Sequence, residues 1–141
     1  MSATVARRYF ARGRDQLRSG DVEGAAQSFG AAVELAPEFA EARVGAALTV
    51  GRADPPRAAQ LLRNGLRAAL RPSARRLMLV ALGDVLTAGG DFPGADQAYA
   101  EAARIPGRHP LAARLARLHA KTGRYDESFA ALAAAVTPTR E

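Results

Sequence analysis

Residues 82–102 read LGDVLTAGGDFPGADQAYAEA and contain two apolar stripes separated by a glycine and an aspartate. Gly90 ends the first stripe, and glycine at such a position tolerates the positive φ that closes a helix. Asp91 follows at once, and its carboxylate can accept amide hydrogens at the start of the next helix. The stretch therefore predicts two helices joined by a tight turn.

The same unit recurs along the chain. Gly20 and Gly90 are separated by two periods of about 35 residues each, and Gly123 follows after about one more period. Asp54 and Pro55 supply a turn for the intervening unit, whose pattern is degenerate. The period predicts a single domain over residues 1–141, made of four helix pairs at about 6–39, 40–75, 76–108 and 109–138.

Composition and packing both favour an all-α fold. Of the 141 residues, 34 are alanine, the strongest helix former, while β-branched and aromatic residues are sparse. A single helix pair cannot bury its apolar face, so neighbouring pairs stack to form the core. We expect Gly13, Gly83 and Ala116 to let a facing helix approach closely, with Phe29 and Tyr99 filling the space between helices. The result is an α-solenoid of eight helices.

This pattern resembles the tetratricopeptide-repeat family, whose unit of about 34 residues carries W-x2-L-G-x2-Y, A-x3-F and proline motifs. The matching residues are Leu82, Gly83, Leu86, Ala95, Tyr99 and Ala102 in the third unit, and Tyr9, Gly13, Ala25, Phe29, Ala32 and Pro37 in the first. The resemblance implies a right-handed superhelix. It also implies a non-catalytic adaptor or scaffold, whose concave groove is lined by the first helix of each pair and receives a peptide or helix of another protein.

The lining of that groove is predicted from the register of each first helix. In the third unit, Leu79, Leu82 and Leu86 form the core stripe and leave the opposite face toward the groove. The predicted lining is Arg7, Phe10, Arg14, Leu17 and Arg18 in the first unit, Val44 and Leu48 in the second, Leu77, Val80, Ala81, Asp84 and Ala88 in the third, and Ala113, Arg114, Arg117 and Lys121 in the fourth. This groove is apolar in the middle and basic at both ends.

Catalytic chemistry finds little support in the sequence. There is no cysteine, and the two histidines, His109 and His119, do not form a recognisable metal or acid–base pattern. Glu38 and Glu41 are interpreted as solvated acids near a helix start. We therefore expect no enzyme activity, no catalytic residue, no metal and no cofactor.

Three kinds of partner are compatible with the sequence. The net charge of +6 and the basic ends of the groove favour an acidic, partly apolar segment of another protein. Alternatively, Arg63, Arg67 and Arg71 could form a basic ridge for an anionic polymer, although no aromatic residues interleave them as in nucleic-acid-binding surfaces. A third possibility is self-association through the C-terminal helix pair, where Phe129 and Leu132 belong to an apolar stripe that another copy or a further domain would have to cover.

The sequence gives indirect indications of cellular context. The N-terminal arginines are not followed by the apolar segment of a secretory signal, and no apolar run reaches the roughly 20 residues of a membrane span. Of the 20 basic residues, Lys121 is the only lysine, a bias typical of GC-rich genomes. We expect a bacterial, cytoplasmic protein.

Overall fold

Six α-helices make up the part of the chain that the structure, a computed structural model, describes: residues 2–68 and 70–107, with residues 111 and 114. The helices are α1 (Ser2–Arg18), α2 (Val22–Leu35), α3 (Ala40–Gly51), α4 (Pro55–Leu66), α5 (Pro72–Ala88) and α6 (Phe92–Ala103). No strand occurs among these residues, which confirms the predicted all-α fold. Apart from Leu111 and Arg114, the fourth predicted pair lies outside the described residues, so self-association through Phe129 and Leu132 stays a prediction.

The predicted turns at Gly20 and Gly90 are confirmed, and the one at Gly123 lies outside the described residues. Gly20 has a φ of 88° and Gly90 a φ of 84°, in the left-handed region that glycine enters without steric cost. The carboxylates of Asp21 and Asp91 then cap the next helices by accepting hydrogen bonds from the backbone amides of Gly24 and Gly94, at 2.9 and 3.1 Å. The turns of the first and third units thus share one geometry.

In the second unit, the turn has no glycine with positive φ, and the second helix begins at a proline. Asp54 caps α4 by accepting a hydrogen bond from the amide of Arg57 at 3.2 Å, and Pro55 occupies the first helical position. Helix α4 ends at Leu66. The predicted ridge included Arg71 only if the helix that bears Arg63 reached it; Arg71 stands instead at the start of α5.

The helices stack so that contacts are made mainly with the nearest neighbours along the chain. Each helix packs against the one before and the one after it, and α3 also contacts both α1 and α5. The first helices of the three pairs, α1, α3 and α5, therefore form one continuous face. This is the arrangement of a helical solenoid, in which each pair buries the face that it cannot bury alone.

Glycine on one helix receives an aromatic ring from the next. A Cβ atom at Gly13 would lie 2.7 Å from the ring of Phe29, and one at Gly83 would overlap the ring of Tyr99. Both rings are 2% exposed. The predicted close approach of facing helices is confirmed in the first and third units, at equivalent positions of the repeat.

Helix α5 is buried on more sides than its sequence pattern suggests. The predicted core residues Leu79, Leu82 and Leu86 are buried, but so are Val80 and Ala81, at 7% and 5% exposure. The reason is that α5 packs against α3, α4 and α6 together, and all five residues belong to one core cluster. Val80 and Ala81 were predicted to line an open groove; they are instead core residues.

A polar cluster joins α5 to α6 and to the segment that follows. The hydroxyl group of Tyr99 donates a hydrogen bond to the carboxylate of Asp84. The Nε atom of Arg114 donates to both carboxylate oxygens of Asp84, at 3.0 and 3.1 Å. The pKa of Tyr99 is raised well above its ordinary value, mainly because the ring is buried and secondly because its hydroxyl group is hydrogen-bonded to Asp84.

We expect Gly83→Ala to lower the free energy of unfolding by about 1–2 kcal/mol, because the added methyl group meets a ring that is buried and hydrogen-bonded. Gly30→Ala is the matched control, since nothing lies within 4 Å of a Cβ at this helical position. Without a clash, that change should stabilise the chain by about 0.5–1 kcal/mol. Chemical denaturation measures both, and equal effects would contradict the packing described here.

We expect Tyr99→Phe to cost about 1–2 kcal/mol of stability at neutral pH, because Asp84 loses a hydrogen-bond donor. The raised pKa of Tyr99 means that the folded chain keeps a proton that the unfolded chain releases. The free energy of unfolding of the wild type should therefore fall as the pH rises above about 10. The difference in this free energy between the wild type and Tyr99→Phe should become smaller. Urea denaturation between neutral and alkaline pH tests this, with Tyr9→Phe as control; an advantage that does not change with pH would refute it.

Candidate partner-binding groove

Three predicted groove residues line one cavity at the N-terminal end of the stack. Arg7, Phe10 and Arg14 project from α1 toward a cavity of about 450 Å³. The opposite side is formed by the connection between α2 and α3 and by the first turn of α3. The remaining lining residues are Ala3, Ala11, Ala36, Glu38, Phe39 and Glu41. We refer to this space as the α1–α3 cavity.

Aromatic rings form an apolar part of the α1–α3 cavity. The ring centroid of Phe10 lies 5.1 Å from that of Phe39 and 5.7 Å from that of Phe29, and both pairs are tilted. The guanidinium carbon of Arg14 lies 5.1 Å from the Phe10 centroid, within the range of a cation–π contact. Because Phe29 is anchored against Gly13 in the core, it supports Phe10 from behind.

The two sides of the α1–α3 cavity carry opposite charges. Arg7 and Arg14 stand on α1, whereas Glu38 and Glu41 stand at the start of α3. All four side chains are exposed, and within the described part of the chain none of them takes part in an ion pair. The site therefore presents charges of both signs to an incoming molecule.

The acidic side of this cavity was missed by the sequence prediction, which treated Glu38 and Glu41 as solvated acids. The repeat register contains information that could have placed Glu41 on this face. Glu41 follows Arg7 by one repeat, just as Val44 follows Phe10 and Leu48 follows Arg14. The position of Glu41 on the first-helix face was therefore predictable, although its nearness to Phe10 was not.

The middle of the predicted groove is apolar and partly accessible. Leu48 is 43% exposed, which makes it one of three large apolar side chains with substantial exposure among the described residues. Val44 and Leu77 are half-buried and pack against the main core cluster. These three side chains lie on α3 and α5, helices that contact each other, so they offer an apolar surface next to the α1–α3 cavity.

The remaining predicted groove residues differ in their environment. Leu17 is half-buried, and Arg18 forms an ion pair with Asp15 at 3.9 Å, in which both side chains are 77% exposed. Exposed ion pairs of this kind contribute little to stability, so Arg18 stays accessible to a ligand. Asp84 and Arg114 bind each other, with about one third of each side chain exposed. Arg117 and Lys121 lie outside the described residues.

Several arginines of the basic segment between Arg43 and Arg76 hold the fold together. Arg43 donates a hydrogen bond to the carbonyl of Pro37, Arg75 to that of Leu66, and Arg76 to that of Ile105, at 3.0 to 3.2 Å. The exposed arginines Arg63, Arg67 and Arg71 are divided between the end of α4 and the start of α5. The high local charge therefore comes from two groups of arginines: some donate hydrogen bonds to backbone carbonyls, and others are exposed on the surface.

The described residues provide no group of three or more histidine, cysteine, aspartate or glutamate side chains that could hold a metal ion. Within the same residues, no helix has both the length and the apolar character that crossing a membrane requires. The arrangement in the α1–α3 cavity is thus one of aromatic surface and side-chain charges, which act by burial and ion pairing.

Comparison with known proteins gives the following matches. The family model for the tetratricopeptide repeat matches residues 10–50. A solved structure of pilF from Pseudomonas aeruginosa matches 89% of this chain at 21% identity and a TM-score of 0.63, and one of MamA matches 90% at 17% identity and 0.68. The matches cover 57% of the pilF chain and 69% of the MamA chain, so this chain spans less than two thirds of the pilF structure. No curated protein sequence matches significantly.

These matches agree with the molecular features described above. The motif match covers α2, half of α1 and most of α3, the part of the chain that contains the Gly20 turn, the Asp21 cap and the packing of Phe29 on Gly13. The same turn, cap and packing recur two repeats later around Gly90 and Tyr99. Residues 10–50 thus contain a tetratricopeptide-repeat motif, and the described helices have a fold similar to those of the pilF and MamA structures.

Proposed function

We propose that the chain is a non-catalytic adaptor or scaffold that binds a peptide or helix of another protein along α1, α3 and α5. The α1–α3 cavity is the observation that supports this most strongly. Three side chains predicted from the repeat register, Arg7, Phe10 and Arg14, line one accessible space with an aromatic floor. Cavities that combine aromatic surface with a few charged groups are suited to holding side chains of a ligand.

The apolar surface beyond the cavity extends the proposed groove. Leu48 occupies the position on α3 that Arg14 occupies on α1, and it is exposed although it is a large apolar side chain. Leu77 adds a half-buried apolar side chain from α5. A partner segment that follows the first helices would therefore meet charges and aromatic rings first, and then an aliphatic surface.

The proposed partner segment is partly apolar and carries acidic residues. Arg7 and Arg14 can pair with carboxylates, and their planar guanidinium groups favour two-pronged hydrogen bonding. Because both arginines are exposed, these pairs should accelerate association and make it sensitive to salt more than they increase final affinity. We place this interaction in the cytoplasm on the basis of the sequence.

The alternative of an anionic-polymer surface is less well supported. Phosphate binding relies on several free cationic side chains along one surface. Here Arg43, Arg75 and Arg76 donate to backbone carbonyls, and Arg71 stands on a different helix from Arg63. The basic segment therefore resembles a set of structural arginines more than a continuous binding ridge.

We expect a photo-reactive amino acid at position 48 to cross-link to a partner segment, whereas the same amino acid at position 35 should not. Leu48 and Leu35 are matched, since they are large apolar side chains with 43% and 38% exposure. Leu48 lies on the first-helix face, while Leu35 ends a second helix. Mass spectrometry of the adducts identifies the segment, which is then synthesised as a peptide.

The synthetic peptide provides the quantitative test. Its affinity for Leu48→Glu should fall by about tenfold, because a charge replaces apolar contact, whereas Leu35→Glu should bind like the wild type. Both positions are exposed helical sites, so neither change should alter stability by more than about 0.5–1 kcal/mol. Equal cross-linking at the two positions, or equal loss of affinity, would argue against a groove on the first helices.

A further inference from the structure

The α1–α3 cavity has a more specific chemistry than the overall charge of the chain suggests. The whole chain carries a net charge of +6. The cavity, in contrast, is lined by two arginines and two glutamates, which gives it a local balance of zero. A ligand that enters this cavity therefore experiences a basic side on α1 and an acidic side at the start of α3, instead of a uniformly positive surface.

The charges that face the cavity are available to a ligand. Arg14 is held over the Phe10 ring, and none of the four charged residues forms an ion pair among the described residues. Glu41 has a structural role as well, because an acid in the first turn of α3 interacts favourably with the helix dipole. Glu38 lies just before that helix, is exposed and lines the cavity beside Glu41.

The apolar part of the cavity limits the kind of side chain that fits between the two charged sides. The rings of Phe10 and Phe39 are tilted by 49° to each other with 5.1 Å between their centroids, and a further ring can stack against their exposed surfaces. The volume of about 450 Å³ lies within the roughly 300–1,000 Å³ of sites that hold small ligands. It is therefore large enough for one aromatic side chain and its neighbours, and too small for a folded domain.

We propose that the α1–α3 cavity binds a protein segment of mixed charge, in which an aromatic side chain lies between an acidic residue that pairs with Arg7 or Arg14 and a basic residue that pairs with Glu38 or Glu41. This inference rests on the proposed groove function and specifies its partner. A uniformly acidic segment would bring carboxylates next to the two glutamates, and such juxtaposition of like charges disfavours binding. A segment of mixed charge can instead form ion pairs with the arginines on one side and with the glutamates on the other.

Short peptides with blocked ends test this proposal directly. The core sequences are Asp-Asp-Phe-Lys-Lys, Asp-Asp-Phe-Asp-Asp, Lys-Lys-Phe-Lys-Lys and Asp-Asp-Ser-Lys-Lys, each titrated to millimolar concentration into the isotope-labelled protein. Amide chemical shifts report both the affinity and the location of binding. We expect the first peptide to shift Phe10 and Phe39 and to bind about fivefold more tightly than each of the others, because two exposed ion pairs or one stacked ring are lost in the others.

Two double variants, each of which replaces two charged side chains with neutral glutamine, separate the contributions of the two sides. Glu38→Gln with Glu41→Gln should remove the preference for the mixed peptide over the acidic one. Arg7→Gln with Arg14→Gln should remove its preference over the basic one. Arg67→Gln with Arg71→Gln is the matched control for the arginine variant, since it removes the same charge and both side chains are exposed and outside the lining of the α1–α3 cavity. The control should retain the wild-type order of affinities.

The possible outcomes distinguish this inference from the groove function. If the acidic peptide binds as tightly as the mixed one, or if the preference survives in both cavity variants, the mixed-charge proposal is wrong. Shifts confined to Leu48 and Leu77 would overturn it while leaving the groove function intact. If no peptide shifts any residue of α1, α3 or α5, the mixed-charge proposal is wrong, and the groove function is decided by the cross-linking at position 48. Tighter binding of a single-stranded oligonucleotide, or shifts that depend on protein concentration alone, would also overturn it in favour of nucleic acid or a second copy.

Discussion

The packing of an aromatic ring onto a glycine of the preceding helix determines how closely the helices of a pair approach in the first and third units. Phe29 on Gly13 and Tyr99 on Gly83 are the same contact, made at equivalent positions of the two units. Any larger residue at either glycine would force two helices apart, because each ring is almost completely buried. The positions of the first helices, and with them the shape of the face formed by α1, α3 and α5, depend on this spacing.

The parts of the fold that sequence reasoning predicted well are those decided by local chemistry. A glycine with positive φ followed by a capping aspartate is specified within a few residues, which is why the turns at Gly20 and Gly90 could be placed from the sequence alone. The repeat period then carried those local assignments along the chain. The register also identified Arg7, Phe10 and Arg14 as residues that share a face, and they do line one cavity.

The predictions that were wrong depended on contacts between elements distant in sequence. Val80 was assigned to an open face because one helix viewed alone has a buried side and a free side, whereas α5 has neighbours on three sides. Arg114 was predicted to line the groove, and its ion pair with Asp84 of the preceding unit was not anticipated. No pattern within a single helix contains either fact, because each one arises from the way in which successive pairs are placed against each other.

The character of the first-helix face changes along the described part of the stack, and under the proposed function this change would place specificity at the α1 end. Phe10 and Val44, which occupy equivalent positions on α1 and α3, are half-buried, whereas Val80 at the corresponding place on α5 is buried. A third residue on this face, Asp84, is already occupied by Arg114 and Tyr99. Within the described part of this face, exposed charges and aromatic rings line a common cavity between α1 and α3. The net charge of the whole chain also counts arginines that donate to backbone carbonyls elsewhere. If the proposed groove binds a partner, the local charge balance of this cavity is therefore a better guide to that partner than the net charge.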